Sequence, residues 1–189
     1  SKETNTEKYF NSLVIINNKA EILSVYNKIN LVPFGEFLPF EKILSKFGLK
    51  KITRGYSSFT SGSVRKTINL GNKFGNSSIL PLICYEIIYP GKIKSNTQFP
   101  DLVINISEDA WFGKSIGPYQ HFTKAIYRSV EEGVFIARAA NKGISGFIDP
   151  NGKSIKLLDR SESGNVEYKM PQFSGKTFYS NYGNKIFFF

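Results

Sequence analysis

Cysteine is almost absent from this chain: its 189 residues contain one, Cys84. A single thiol excludes an intrachain disulfide and excludes a zinc site built from paired cysteines. Histidine is as scarce, and His121 is the one imidazole that could partner the thiol. Long apolar runs are missing as well. No stretch approaches the ~20 apolar residues that span a bilayer, and the opening Ser-Lys-Glu-Thr-Asn-Thr-Glu-Lys lacks the charged-then-apolar order of a signal peptide. Acidic residues are few beside the basic ones, 15 against 25, which leaves a formal charge of +10. Such an excess favours anionic partners. The lysines are scattered through most segments, however, so they read as solvated surface charge and not as a nucleic-acid face.

What is present suits a folded chain. The hydrophobic fraction of 41% is ordinary and the aromatic fraction of 15% is high, so a disordered reading fails. The length fits one domain with a sizeable core. Residues 1–9 are polar and read as a frayed end. Residues 11–16 and 21–26, joined by Asn17-Asn18-Lys19-Ala20, read as a β-hairpin. Two prolines and a glycine in 31–40 fix a shaped loop, and 41–47 form a short helix closed by Gly48. Residues 64–70 and 78–84 read as paired strands around a turn at 71–75, with Cys84 at the strand end before Pro90-Gly91. A further strand spans 101–107 and empties into the loop that carries Trp111 and Phe112. Pro118 and Gly133 bracket a helix whose Phe122, Ala125, Ile126 and Ser129 recur at helical spacing. Strands follow at 134–137 and 144–148. Strands alternating with helices and hairpins indicate a mixed α/β layered domain.

The reactive candidates are few. Cys84 on composition alone is a small buried hydrophobe. A thiol placed where a strand gives way to a turn is also presented at the rim of a sheet, with the following backbone N–H groups available to a developing oxyanion. Glu86, two residues on, is out of place in a purely apolar core. Lys28 reads as a surface lysine unless its ammonium serves the thiol, where it would favour the thiolate and balance negative charge. Glu36 lies in the rigid Pro-Phe-Gly-Glu turn, where a solvated carboxylate is the ordinary expectation.

Taken in order, Tyr26-Asn27-Lys28, Leu31-Val32-Pro33-Phe34-Gly35-Glu36, Pro81-Leu82-Ile83-Cys84-Tyr85-Glu86 and Asp109-Ala110-Trp111-Phe112-Gly113 resemble the nitrilase superfamily of carbon-nitrogen hydrolases. Gly117-Pro118-Tyr119-Gln120-His121-Phe122 and Arg138-Ala139-Ala140-Asn141-Lys142-Gly143 narrow the resemblance to its apolipoprotein N-acyltransferases. The likeness runs from about Tyr26 to Gly152. It implies a nitrilase-like four-layer α-β-β-α sandwich and a Glu-Lys-Cys catalytic set. Cys84 would be the nucleophile and Lys28 the lysine that stabilises the oxyanion. Glu36 and Glu86 match two further functional carboxylates. Tyr85, Trp111 and Phe112 fall where such enzymes line the entrance to the active site, with aromatic core packing as the competing expectation. His121 has no catalytic part in the motif and is expected to be structural.

The resemblance further implies acyl transfer from a membrane phospholipid, through a Cys84 thioester, to the N-terminal cysteine amine of an apolipoprotein. No metal or organic cofactor is implied. The location implied is the bacterial inner membrane, with the catalytic domain facing the periplasm. Two departures stand out. The family's general base is a glutamate in a Pro-Glu motif upstream of the lysine, and neither Glu3 nor Glu7 matches it. Residues 1–189 are therefore expected to be a partial catalytic domain, incomplete at its N-terminal end, with 186–189 the start of a membrane helix. Glu108 occupies a place where a neutral asparagine is common. The alternatives are a nitrilase-type amidase, in which water resolves the acyl-enzyme, and a non-catalytic basic binding domain.

Overall fold

The structure is a computed structural model and describes residues 7–48, 58–71, 76–93, 98–171 and 175–188. Residues 72–75 of the turn expected at 71–75, the first six residues and Phe189 lie outside the described residues. The chain falls into two compact units, Ser1–Val64 and Arg65–Phe189.

In the first unit, β1 (Ser12–Ile16) pairs antiparallel with β2 (Ile22–Asn27), bringing Leu13 opposite Tyr26. The Asn17 side chain makes the turn by accepting hydrogen bonds from the N–H groups of Lys19 and Glu21 at 2.9 and 3.0 Å, the local chemistry that suits asparagine to turns. Leu13 and Tyr26 are buried, as the two-residue period of a strand requires of neighbours across a pair. Past β2 the backbone folds back on itself: Glu36 N–H donates to the Val32 carbonyl and Phe34 N–H to Phe37. This loop precedes α1 (Glu41–Leu44), which tightens into a 3-10 turn, Ser45–Phe47, and stops at Gly48 with φ 74°.

The second unit is built on a six-stranded sheet in the order β3 (Ile68–Asn69), β4 (Ser78–Ile83), β5 (Leu102–Glu108), β6 (Phe135–Asn141), β7 (Ser145–Ile148), β8 (Ser154–Leu158). β4, β5 and β6 are parallel and the outer pairings antiparallel. Every residue of β4 is buried, which accounts for its unbroken apolar run: a strand covered on both faces has no polar side to alternate with. Pro81 is tolerated there because β3 pairs only with Ser78 and Ile79, so a missing N–H further along breaks no ladder on that side.

The helix α2 (Gly117–Glu132) connects β5 to β6, with a proline in its first turn and Gly133 at φ 66° ending it. Its Pro118, Phe122, Ala125 and Ser129 face inward, three and four residues apart as one helix face demands. Phe122 and Ala125 join Leu80, Val103, Ile136 and Ile148 in the core. Each aliphatic side chain buried this completely contributes about 1.5–3 kcal/mol.

Several boundaries differ from the sequence expectation. The strand expected at 64–70 is reduced to Ile68–Asn69, and that at 134–137 runs on to Asn141 beside β5. Cys84 is not the last residue of β4 but the first of a 3-10 turn, Cys84–Ile88. β8 and α3 (Phe178–Tyr182) are additional. Ile186 and the two phenylalanines after it fall in a 3-10 segment, Gly183–Phe188. Among the described residues no helix is long and apolar enough to cross a membrane.

Candidate active site

The parallel strands β4 and β5 end on the same side of the sheet, β4 at Ile83 just before Cys84 and β5 at Glu108. In open α/β sheets the carboxyl ends of parallel strands are where ligands bind. Cys84 has φ 52°, a left-handed conformation that costs a non-glycine residue of order 1–3 kcal/mol. That sharp change from strand to 3-10 turn leaves the residue half-buried, and its thiol lies 4.0 Å from the Glu108 carbonyl.

Glu86 is fully buried beneath this turn. One carboxylate oxygen accepts from the Ile83 N–H at 2.9 Å, and the other from the Arg65 guanidinium at 2.8 Å. The first bond is the reach-back half of a capping box, which ties down the entrance to a helical turn. From α2, Arg128 donates to the Ile88 carbonyl at 3.1 Å and fixes the turn's other end.

Behind the turn lies a charged network that joins His121, expected to be structural, with Asp109 and Arg138 of the motifs and with Asn105, on which the sequence placed no expectation. Asn105 in β5 donates through its amide to the carbonyls of Leu82 and Cys84, both at 3.3 Å. Its own oxygen accepts from Arg138, its register neighbour in β6. Arg138 also donates to Asp109 at 2.7 Å. The Asp109 carboxylate accepts from the Ser107 hydroxyl at 2.6 Å and meets His121 Nδ1 at 2.9 Å. Burial alone would raise the Asp109 carboxyl. The His121 hydrogen bond, Arg138 and Ser107 outweigh it and hold the group below the ordinary aspartate range. Burial draws the Arg138 guanidinium down, and Asp109 and then Cys84 oppose this.

Asp109 immediately precedes the 3-10 turn Ala110–Phe112. Trp111 there is 59% exposed, so it does not fill the core. Phe112 and Tyr85 instead pack against the His121 ring, with centroids 5.8 and 5.6 Å away. Tyr85, Phe112, Tyr119, His121 and Lys124 line a cavity of about 510 Å³, within the ordinary size range of small-ligand pockets. Glu108, the residue where asparagine was expected, keeps both oxygens occupied by the Ala110 N–H at 3.0 Å and the Asn141 amide at 2.8 Å.

In the first unit, Lys28 is 1% exposed and pairs with Glu36 at 2.7 Å. The Glu36 carboxylate also accepts from the Asn11 amide at 2.7 Å and the Val32 N–H at 2.8 Å. Neither residue is the solvated side chain that isolated inspection of the sequence would suggest. The structure thus places Lys28 with Glu36 in one unit, and Cys84 with Tyr85, Glu86, Trp111 and Phe112 in the other. Among the described residues no group of three acidic, histidine or cysteine side chains is arranged to hold a metal ion.

Residues 1–171 match the carbon-nitrogen hydrolase family model. The chain belongs to the carbon-nitrogen hydrolase family. It is 39% identical over 175 residues to the apolipoprotein N-acyltransferase of Bradyrhizobium diazoefficiens, covering 93% of this chain and 32% of that protein. It is 40% identical over 174 residues to the apolipoprotein N-acyltransferase of Rhodopseudomonas palustris, covering 92% and 32%. The chain therefore spans about a third of the length of these curated relatives.

Among solved structures, the carbon-nitrogen hydrolase from Helicobacter pylori G27 superposes with a TM-score of 0.58 at 15% identity, covering 82% of this chain and 55% of that one. An amidase from Nesterenkonia sp. gives 0.53 at 20% identity, covering 77% and 49%. The fold is the nitrilase-like α/β fold these hydrolases share, as the motifs around Lys28 and Cys84 implied.

Proposed function

We propose that the chain is the nucleophile-bearing part of an apolipoprotein N-acyltransferase, a membrane enzyme that works at the bacterial inner membrane with this region facing the periplasm. The observation that carries the reading is identity of 39% across 93% of the chain with a protein of that name. The strained Cys84 turn at the ends of two parallel strands supports it with chemistry. An amidase would use the same nucleophile, but the solved amidase at 20% identity supports the shared fold alone.

In the proposed reaction the Cys84 thiolate attacks the ester carbonyl of a phospholipid. The carbon–sulfur bond forms, the carbon–oxygen bond breaks, and the lysophospholipid leaves with a proton. The α-amine of an apolipoprotein's N-terminal cysteine then attacks the thioester, giving an amide and restoring the thiol. Splitting one acyl transfer into two steps in this way is the logic of covalent catalysis. Lys28 takes the role of stabilising the oxyanion in both steps, and Glu36 holds its ammonium. Glu86 acts through the turn it ties down. Tyr85, Trp111 and Phe112 receive the acyl donor. A glutamate in the part of the relatives' length that this chain does not span supplies the base. The Cys84→Ser variant is the test: in cells, loss of lipoprotein N-acylation is expected, and unchanged N-acylation would overturn the reading.

A further inference from the structure

Cys84 needs its strained backbone held from both sides, and the side facing away from Glu86 is held by residues that belong to no motif for the nucleophile. Leu82, Asn105 and Arg138 stand in register across β4, β5 and β6, and all three are buried. The Asn105 amide straddles the turn, with its nitrogen 3.3 Å from the carbonyls of both Leu82 and Cys84. Which end of an asparagine amide faces which neighbour is a choice, and Arg138 makes it. A guanidinium has five donors and no acceptor, so the Asn105 oxygen must turn to Arg138 and the NH2 group to the cysteine turn. Arg138 is fixed in its turn by the Asp109 carboxylate, with both side chains wholly buried.

Such a row is an expensive way to fill the centre of a sheet. Apolar side chains in place of Asn105, Arg138 and Asp109 would fill the space without removing an amide, a cation and a carboxylate from water. What the polar row adds is direction, since each of its buried hydrogen bonds fixes which group faces which neighbour. It also joins two parts of the candidate site. Through Asn105 the cation reaches the Cys84 carbonyl, and through Asp109 it reaches the start of the Trp111–Phe112 turn and His121.

We propose that Asn105 and Arg138 are positioning residues that hold the Cys84 turn in its reactive geometry and in register with the aromatic loop. The proposal rests on the reading of Cys84 as nucleophile. A displacement of about 1 Å at a reacting atom can cost roughly 100-fold in rate, which sets the effect to look for.

The test uses the intact protein in detergent with a phospholipid donor and a lipopeptide acceptor. The variants are Asn105→Leu, which keeps the branched outline and removes the grip on the turn, and Arg138→Lys, which keeps the charge but cannot fork between Asn105 and Asp109. Thermal denaturation shows whether each is folded. For a folded variant the expected result is a fall in kcat of roughly 10- to 100-fold with KM for the phospholipid little changed. Wild-type kcat in a folded Asn105→Leu protein would overturn the proposal. Should that variant not fold, Arg138→Lys decides by the same criterion, and failure of both to fold assigns the row to stability alone and overturns it too. A Cys84→Ala control separates the premises: residual acylation there sinks the nucleophile, whereas a dead control beside an active Asn105→Leu sinks only the positioning role.

Discussion

An ammonium and a carboxylate buried side by side are tolerated only while each has the other, and Lys28 and Glu36 are in that position. Removing one leaves an uncompensated buried charge at a cost of about 3–5 kcal/mol, whereas replacing both with apolar side chains is often nearly neutral. Glu36→Leu is therefore expected to destabilise the protein by about that amount in chemical denaturation. The double variant Lys28→Met with Glu36→Leu should recover most of the stability and none of the acyl transfer, which separates the structural worth of the pair from its catalytic one. Recovery of activity in the double variant would remove Lys28 from the mechanism. Trp111 is the converse case. It is largely exposed, so Trp111→Ala should change stability by no more than about 0.5 kcal/mol while raising KM for the phospholipid in steady-state kinetics. A large drop in melting temperature would return Trp111 to a packing role.

Asp109 links β6, β5 and α2 through Arg138, Ser107 and His121, so its protonation is felt by three elements at once. Its carboxyl is depressed in the folded state. It therefore contributes stability that is fully present above the unfolded value of about 3.9 and is lost as pH falls through the lower folded value. Melting temperature should fall steeply below about pH 4, and part of that slope should disappear in Asp109→Asn. An identical acid slope in the two proteins would show that other carboxylates set it. Gly143 offers a steric probe of the same junction. A Cβ added there would run into the Asp109 carboxylate, so Gly143→Ala should lower the melting temperature, and an unshifted value would show that the carboxylate has room to move. These elements were unequally legible in the sequence. The Cys84-Tyr85-Glu86 turn could be read because its residues are contiguous and end an apolar strand. The bonding of Asn105 and Asp109 to Arg138 could not, although Asp109 and Arg138 lie in motifs that carried the resemblance, because Arg138 is 29 and 33 residues from the other two and meets them only once the parallel register is known. Singly, each reads as an ordinary polar residue in or beside a strand. β8 was missed for another reason: Ser154-Ile155-Lys156-Leu157-Leu158 is short and does not alternate cleanly, and only pairing with β7 makes it a strand.

For the molecule as a whole, the nitrilase-like fold was recoverable from ordered motifs because each marks a place where backbone and chemistry are fixed together: the Pro33 to Glu36 loop around a buried ion pair, the Cys84 turn at a sheet edge, and the aromatic loop after β5. Periodicity alone gave only a mixed α/β domain. The burial of Lys28 and Glu36 was hidden as well, since charged residues are read as exposed until their partners are seen. The central claim is that Cys84 carries an acyl group taken from a phospholipid. Because Cys84 is the one cysteine among these 189 residues, mass spectrometry of the peptide that contains it, after the intact protein is incubated with phospholipid of defined chains and no acceptor, tests the claim directly. The account predicts a mass increase equal to one donor acyl chain on Cys84, lost on treatment with hydroxylamine or on addition of a lipopeptide amine. An unmodified Cys84 in a preparation that N-acylates lipopeptide would contradict it.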